Sequence, residues 1–223
     1  MRAGTDMSKN ASLNPVIGML GRRLRLAVIG GGPGSFIGAM HRQAARLDDR
    51  YELVAAALSS NPQKSVAAGH ELGLQAERCY ADGMAMLKAE STRSDGADVI
   101  AIMTPNDSHF EFSMAALAHG FDVICDKPMT NTPEEAAQLH QCVRQTGLIF
   151  CLTHNYTGYP MVRQAKAMVA AGELGDIRLV QVEYVQGGRA KAGPGRAAWK
   201  EDPERGGPSL VMGDIGTHAH NLL

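Results

Sequence analysis

Short apolar runs recur along this chain, and most are followed by a turn and then by a stretch whose apolar positions repeat at helical spacing. Leu24 to Ile29 leads into Gly30-Gly-Gly-Pro-Gly34 and an apolar-periodic segment from Phe36 to Leu47. Tyr51 to Leu58 runs into Ser59-Ser60-Asn61-Pro62, where Asn61 can cap and Pro62 can take the first position of a helix ending near Gly73. Ala97 to Met103 reads as a third strand, with a helix from about Asp107 to His119, and Phe121 to Cys125 as a fourth. The next helix opens at Thr132-Pro133-Glu134-Glu135, a capping box with proline in the first turn, and stops at Gly147; Leu148 to Leu152 supplies a fifth strand. Strands that are apolar throughout and alternate with helices predict a parallel sheet covered on both faces, a doubly wound α/β domain over about residues 23 to 153.

Outside that domain the texture changes. Residues 1 to 22 mix Gly, Asn, Ser and Pro without a period and are expected to be a disordered extension. Ile177 to Gln186 alternates apolar with polar side chains and reads as one more strand.

Composition narrows the function. Of 223 residues, 44% are hydrophobic and 20% charged, as in an ordinary globular chain, and the formal charge is only -1. Such a chain has no basic field to gather nucleic acid or an anionic membrane, so a small-molecule ligand is expected. No apolar run approaches the roughly 18 residues that span a bilayer, and the amino terminus has no basic stretch followed by an apolar one, so the expected location is cytoplasmic. Cys79, Cys125, Cys142 and Cys151 form no CxxC pair, and two of them sit in apolar strand-like runs where a buried, reduced thiol is expected, which speaks for a reducing compartment.

Candidate chemistry follows from where motifs fall on this pattern. Backbone amides at a helix amino terminus, approached closely where glycine lacks a side chain, bind a pyrophosphate. Gly30-x-Gly32 after the first strand begins such a turn, and Gly34, Ser35 and Phe36 lead into the helix. The third position of a strict GxGxxG is Ser35, however, and Gly38 comes later than that spacing. The turn alone would also serve as a plain tight bend; within repeated strand-helix units it reads as the dinucleotide turn of a Rossmann-like domain. An acidic residue at the end of the second strand would take the ribose diol of NAD, whereas Ser59, Ser60 and Lys64 suit a 2′-phosphate and favour NADP slightly over NAD.

In open α/β sheets the ligand crevice lies outside the carboxyl ends of the strands. Thr104-Pro105-Asn106-Asp107-Ser108-His109 occupies that edge, where Thr104 and Pro105 can line the nicotinamide half and Asn106 and His109 can contact ribose or amide groups, or the segment can simply cap its helix. Asp126-Lys127-Pro128 closes the fourth strand and places one ammonium where the reactive end of a cofactor should lie; the plainer reading is a solvated strand-end lysine. Asp214 and His218 are four apart, so on a helix the carboxylate can orient the imidazole or raise its basicity, or the two can form an ordinary surface contact. Asp214, His218 and His220 are also conceivable metal ligands, but His218 and His220 diverge on a helix and no Cys or His cluster completes a site, so no metal is expected.

Taken in order and spacing, Val-Ile-Gly-Gly-Gly-Pro-Gly-Ser-Phe-Ile-Gly (28–38), Thr-Pro-Asn-Asp-Ser-His (104–109), Cys-Asp-Lys-Pro (125–128) and Gly-Asp-Ile-Gly-Thr-His-Ala-His-Asn-Leu (213–222) resemble the Gfo/Idh/MocA family of oxidoreductases. The resemblance runs from about Arg23 to the carboxyl end. It implies a Rossmann domain followed by an α+β domain on a large open sheet, of which residues 154 to 223 would be only the beginning. It also implies oxidation or reduction of sugars, inositols or related polyols with NAD or NADP. Gly30, Gly32 and Gly34 correspond to the pyrophosphate turn, Lys127 to the lysine of a Glu-Lys-Pro motif in which Asp126 replaces glutamate, and Asp214 and His218 to an Asp-x-x-x-His pair.

The implied mechanism is hydride transfer between nicotinamide and a secondary alcohol, with His218 as base, Asp214 orienting it and Lys127 hydrogen-bonding the oxygen. Two other functions stay open: a non-catalytic dinucleotide-binding sensor, and a lyase or glycosidase working through transient oxidation. The loop from Gly187-Gly-Arg189 to Trp199-Lys200 reads as substrate-facing or as a flexible surface loop. The family's open sheet, expected also to form a homo-oligomer surface, would need strands beyond Leu223, so the chain is expected to be a fragment of a longer protein; a lone strand is marginal in water.

Overall fold

A computed structural model describes residues 14–187, 199 and 202–223. Five strands, β1 (Leu24–Gly30), β2 (Tyr51–Ala57), β3 (Val99–Met103), β4 (Asp122–Cys125) and β5 (Phe150–Leu152), form one parallel sheet in the order β2-β1-β3-β4-β5. Parallel neighbours require crossovers. These are α2 (Phe36–Leu47), α3 (Pro62–Glu71) with α4 (Gly83–Glu90), α5 (His109–Ala118) and α6 (Pro133–Thr146). The doubly wound, Rossmann-like fold expected from the apolar rhythm is present. Chain order reverses beside β1, so the connections after β1 and β3 diverge and leave a crevice at their carboxyl ends.

Strand β3 shows why the runs are apolar without a break. Ile100 and Ile102 face one side of the sheet, with Ile29, Met86, Leu117 and Leu139; Val99, Ala101 and Met103 face the other, with Val28, Leu58 and Ala68. A period of two puts successive residues on opposite faces, and here helices cover both. Full burial of each large side chain contributes about 1.5–3 kcal/mol, set against the conformational entropy of ordering it.

Local signals place the helix starts. The Asn61 side chain accepts from the Lys64 amide at 2.9 Å, and Thr132 and Glu135 complete both halves of the capping box. Helix α4 has no counterpart in the expected elements, although Asp82 caps it by accepting from the Ala85 amide at 2.8 Å. Tertiary contacts anchor it: the buried Glu90 carboxylate pairs with Arg78, accepts from the Tyr80 hydroxyl at 2.9 Å and accepts from the Ala97 amide at 3.1 Å.

Two segments differ from expectation. Pro15–Leu20 forms a short helix, α1, inside the stretch read as a disordered extension. Asn14 caps it, Pro15 presets its first turn, and Arg22 just beyond it binds both carboxylate oxygens of Asp98 at 2.6 and 2.9 Å. Residues 1–13 lie outside the described residues. The strand expected over Ile177 to Gln186 is not formed: no partner strand stands beside it among the described residues, and Leu179 and Val185 are 85% and 88% exposed. A strand needs a neighbouring backbone to take its amides and carbonyls. After α7 (Pro160–Ala170), the chain returns to the sheet through α8 (Pro203–Gly206), a π-helical turn at Met212–Gly216 and α9 (Thr217–Asn221).

Candidate active site

A cavity of about 530 Å³ opens at the carboxyl edge of the sheet. Its near wall comes from successive strand ends: Gly34, Ser35, Phe36 and Ile37 after β1; Met103, Thr104, Pro105, Asn106 and His109 at β3; Asp126 and Lys127 after β4; Thr153 and Asn155 after β5. The returning segment supplies the far wall, with Tyr184, Gln186, Trp199, Asp214, Ile215 and His218. A second cavity, about 320 Å³, lies past the end of β2 and is lined by Gly32, Ser35, Ser59, Lys64 and Glu71 among others. Gly30 and Ser60 line neither. Gly30 instead seats β1 against β3, since a Cβ there would stand 2.7 Å from the Met103 carbonyl oxygen.

The glycine turn resolves the irregular spelling. A Cβ on Gly38 would fall 1.9 Å from the Gly31 carbonyl oxygen, and one on Gly32 would fall 2.4 Å from that of Leu58. Close approach of helix to turn, the role of a third glycine, therefore belongs to Gly38, while Ser35 caps α2 and accepts from the Gly38 amide at 3.3 Å. Arg42 braces the turn by donating to the Gly31 carbonyl at 2.7 Å. A side-chain-free cradle at the head of a twelve-residue helix, between two cavities, fits a dinucleotide pyrophosphate.

Lys127, Asp214 and His218 come together, though not in the expected pairing. Lys127 Nζ lies 2.8 Å from Asp214 Oδ1 and also donates to the Asp214 carbonyl. Among the described residues no hydrogen bond joins Asp214 to the buried His218, and His218 Nδ1 has no hydrogen-bond partner there. Side chains four apart share a face at 3.6 residues per turn, and the wider π turn at Met212–Gly216 carries Asp214 round toward the lysine. The His218 ring packs on Tyr156 at 4.7 Å between centroids, His154 at 5.5 Å and Tyr184 at 6.1 Å. This burial, reinforced by the charges of Lys127 and His154, pushes His218 down from 6.5 to about 4 against the opposing pull of Asp214. His154 is lowered too, by burial and then by Lys127, and its buried Nδ1 also has no hydrogen-bond partner among the described residues.

Two of the expected ribose or amide contacts are committed elsewhere. His109 has Nδ1 at 2.7 Å from the Pro128 carbonyl and Nε2 at 3.0 Å from that of Thr104, so it braces the two loops on either side of the crevice. Asn106 Nδ2 donates to the Gly206 carbonyl at 2.7 Å and ties α8 to the sheet edge. His154, Asn155, Tyr156, Tyr184 and Gln186 escaped sequence reading. For the first three a signal exists, because Thr153-His154-Asn155-Tyr156 follows β5 as Asp126-Lys127 follows β4. Gly187 and Trp199 are the described parts of the expected substrate loop; 188–198 and 200 lie outside the described residues. Among the described residues, no group of three or more His, Cys, Asp or Glu is placed to hold a metal ion, and no helix is long and apolar enough to cross a membrane.

A parallel sheet with a glycine turn at its switch point and polar side chains converging at the carboxyl edge defines a dinucleotide-binding α/β protein. Residues 24–154 match the oxidoreductase family with an NAD-binding Rossmann fold and residues 162–223 match the Gfo/Idh/MocA C-terminal domain, so the chain belongs to the Gfo/Idh/MocA family. It is 36% identical to the uncharacterized oxidoreductase YfiI of Bacillus subtilis over 92% of this chain and 53% of that protein. It is 28% identical to the levoglucosan dehydrogenase of Pseudarthrobacter phenanthrenivorans, over 90% of this chain and 50% of that one. Among solved structures, an inositol dehydrogenase homolog from Azotobacter vinelandii in complex with NAD+ superposes with a TM-score of 0.87 at 38% identity, covering 90% of this chain and 52% of that one. The same homolog has also been solved with NADH and myo-inositol. The chain thus spans about half the length of these relatives.

Proposed function

We propose that this chain carries the cofactor-binding and proton-transfer residues of an NAD-dependent dehydrogenase acting on a secondary alcohol of a cyclic polyol or sugar. The observation that carries this reading is the meeting of Lys127, Asp214 and a neutral, buried His218 in the cavity onto which the glycine turn opens. The turn and the head of α2 would hold the pyrophosphate, Ser59 and Lys64 the adenosine ribose, and Thr104 and Pro105 the nicotinamide side. When bound, the nicotinamide supplies the two-electron acceptor for the carbinol hydrogen.

The protein's own groups handle the oxygen and its proton. Lys127 donates a hydrogen bond to the substrate oxygen as negative charge develops on it. His218, held neutral by burial, takes the hydroxyl proton. Asp214 steadies the ammonium, and its charge offsets that of the imidazolium formed. Asn155, Tyr184, Gln186 and Trp199 offer amide, phenol and indole groups suited to a ring bearing several hydroxyls. Ser59 and Lys64 favour a 2′-phosphate, but Glu71 shares their cavity and opposes one, and the Azotobacter relative holds NAD+; NAD is therefore the cofactor proposed.

The test is a panel of myo-inositol, levoglucosan and glucose with NAD and with NADP on the complete protein, following reduced nicotinamide. Net reduction with a polyol or sugar is expected, with NAD the better cofactor. Turnover without net reduction would reassign the site to transient-oxidation chemistry, and dinucleotide binding without turnover would make it a sensor.

A further inference from the structure

In the cavity wall, Asp126 is not bonded to its charged neighbour Lys127. Its Oδ1 lies 2.9 Å from His41 Nε2 and accepts from Thr153 Oγ1 at 2.8 Å. The site is sheltered, with the His41 and Asp126 side chains 13% and 14% exposed. Lys127 pairs with Asp214 across the cavity instead.

We propose that His41 is a positioning residue: with Thr153 it holds the Asp126 carboxylate away from Lys127, so that the ammonium is left to Asp214 and to the substrate oxygen. A carboxylate and an ammonium on consecutive residues at a strand end can meet by side-chain rotation, and away from bulk water their attraction is several-fold stronger than in it. Two donors on Oδ1 oppose that rotation. His41 also stands next to Arg42, which braces the glycine turn through the Gly31 carbonyl. Adjacent residues of α2 therefore secure both the pyrophosphate turn and the strand end that carries Lys127. The catalytic meaning of this arrangement rests on Lys127 acting as donor to the substrate; the arrangement itself does not.

The experiment follows the Lys127 amine without turnover, by its rate of modification with an amine-reactive ester at fixed pH, read by peptide mass spectrometry on the whole chain. In His41→Phe the released carboxylate adds a second anion within about 4–6 Å of the ammonium, and modification slows about tenfold. Gln at 41 retains an N–H donor, so His41→Gln stays within about twofold of the parent. The double variant His41→Phe/Asp126→Asn also returns to within about twofold, because no carboxylate remains to rotate. Mere loosening of the fold would raise the rate in both Phe variants. An unchanged or raised rate in His41→Phe, or a double variant as slow as the single one, overturns the proposal. Should His41→Phe fail to fold, Thr153→Val removes the other donor and is expected to slow modification about threefold; an unchanged rate there is equally fatal. Absence of polyol oxidation with this labelling pattern intact would refute the proposed function and leave the positioning role standing.

Discussion

The sheet and the returning carboxyl-terminal segment hold themselves by different means. Every residue of β3 is buried, and the strand would lose its core on any polar substitution. In the later segment Leu179, Val185 and Met212 stand in solvent, and position comes from a few polar ties to the sheet edge: Asn106 to Gly206 and Lys127 to Asp214. An apolar pattern organises a chain where a neighbouring strand is within reach. Where none is, placement depends on specific long-range bonds, and these fall at the candidate site.

This contrast can be broken in three ways, in descending size of effect. Ile100→Ala empties a filled position between helices and sheet and should cost about 2–5 kcal/mol, whereas Leu179→Ala should stay within about 0.5 kcal/mol. Equal losses in urea unfolding would erase the distinction between the two regions. Lys127→Met removes both a tie between them and the proposed oxygen donor, and turnover should drop about a hundredfold or more. Unchanged turnover would remove Lys127 from the chemistry.

The smallest effect concerns pH. Burial pushes His218 down from 6.5 to about 4, so the acid limb of kcat/KM should lie near 4 and the profile should be flat through 6.5. Stability follows the same sign: the unfolded chain takes this proton first as pH falls, so the contribution of neutral His218 is complete above 6.5 and is lost as pH falls through about 4. A limb at 6.5 would show that the segment does not bury His218 against Tyr156 and His154.

The strands, the capping box at Thr132 and the placement of Lys127 at a strand's carboxyl end were legible in the sequence, where Asp214 and His218 also stood out as candidates. Each depends on a period, a cap or a motif within a few residues, and backbone geometry and burial act at that range. The strand read over 177–186 stays unpaired among the described residues because its alternation is local and its pairing is not. The same limit explains the site. Lys127 and Asp214 are 87 residues apart, and their contact depends on strand order and on a widened turn that no spacing rule anticipates. Likewise Gly38 could not be matched to Gly31, nor His41 to Asp126, until the helix lay on the sheet. One-dimensional patterns picked out candidate residues in a Gfo/Idh/MocA chain; which of them touch was settled by packing, because distance through space is set by the sheet and not by position along the chain.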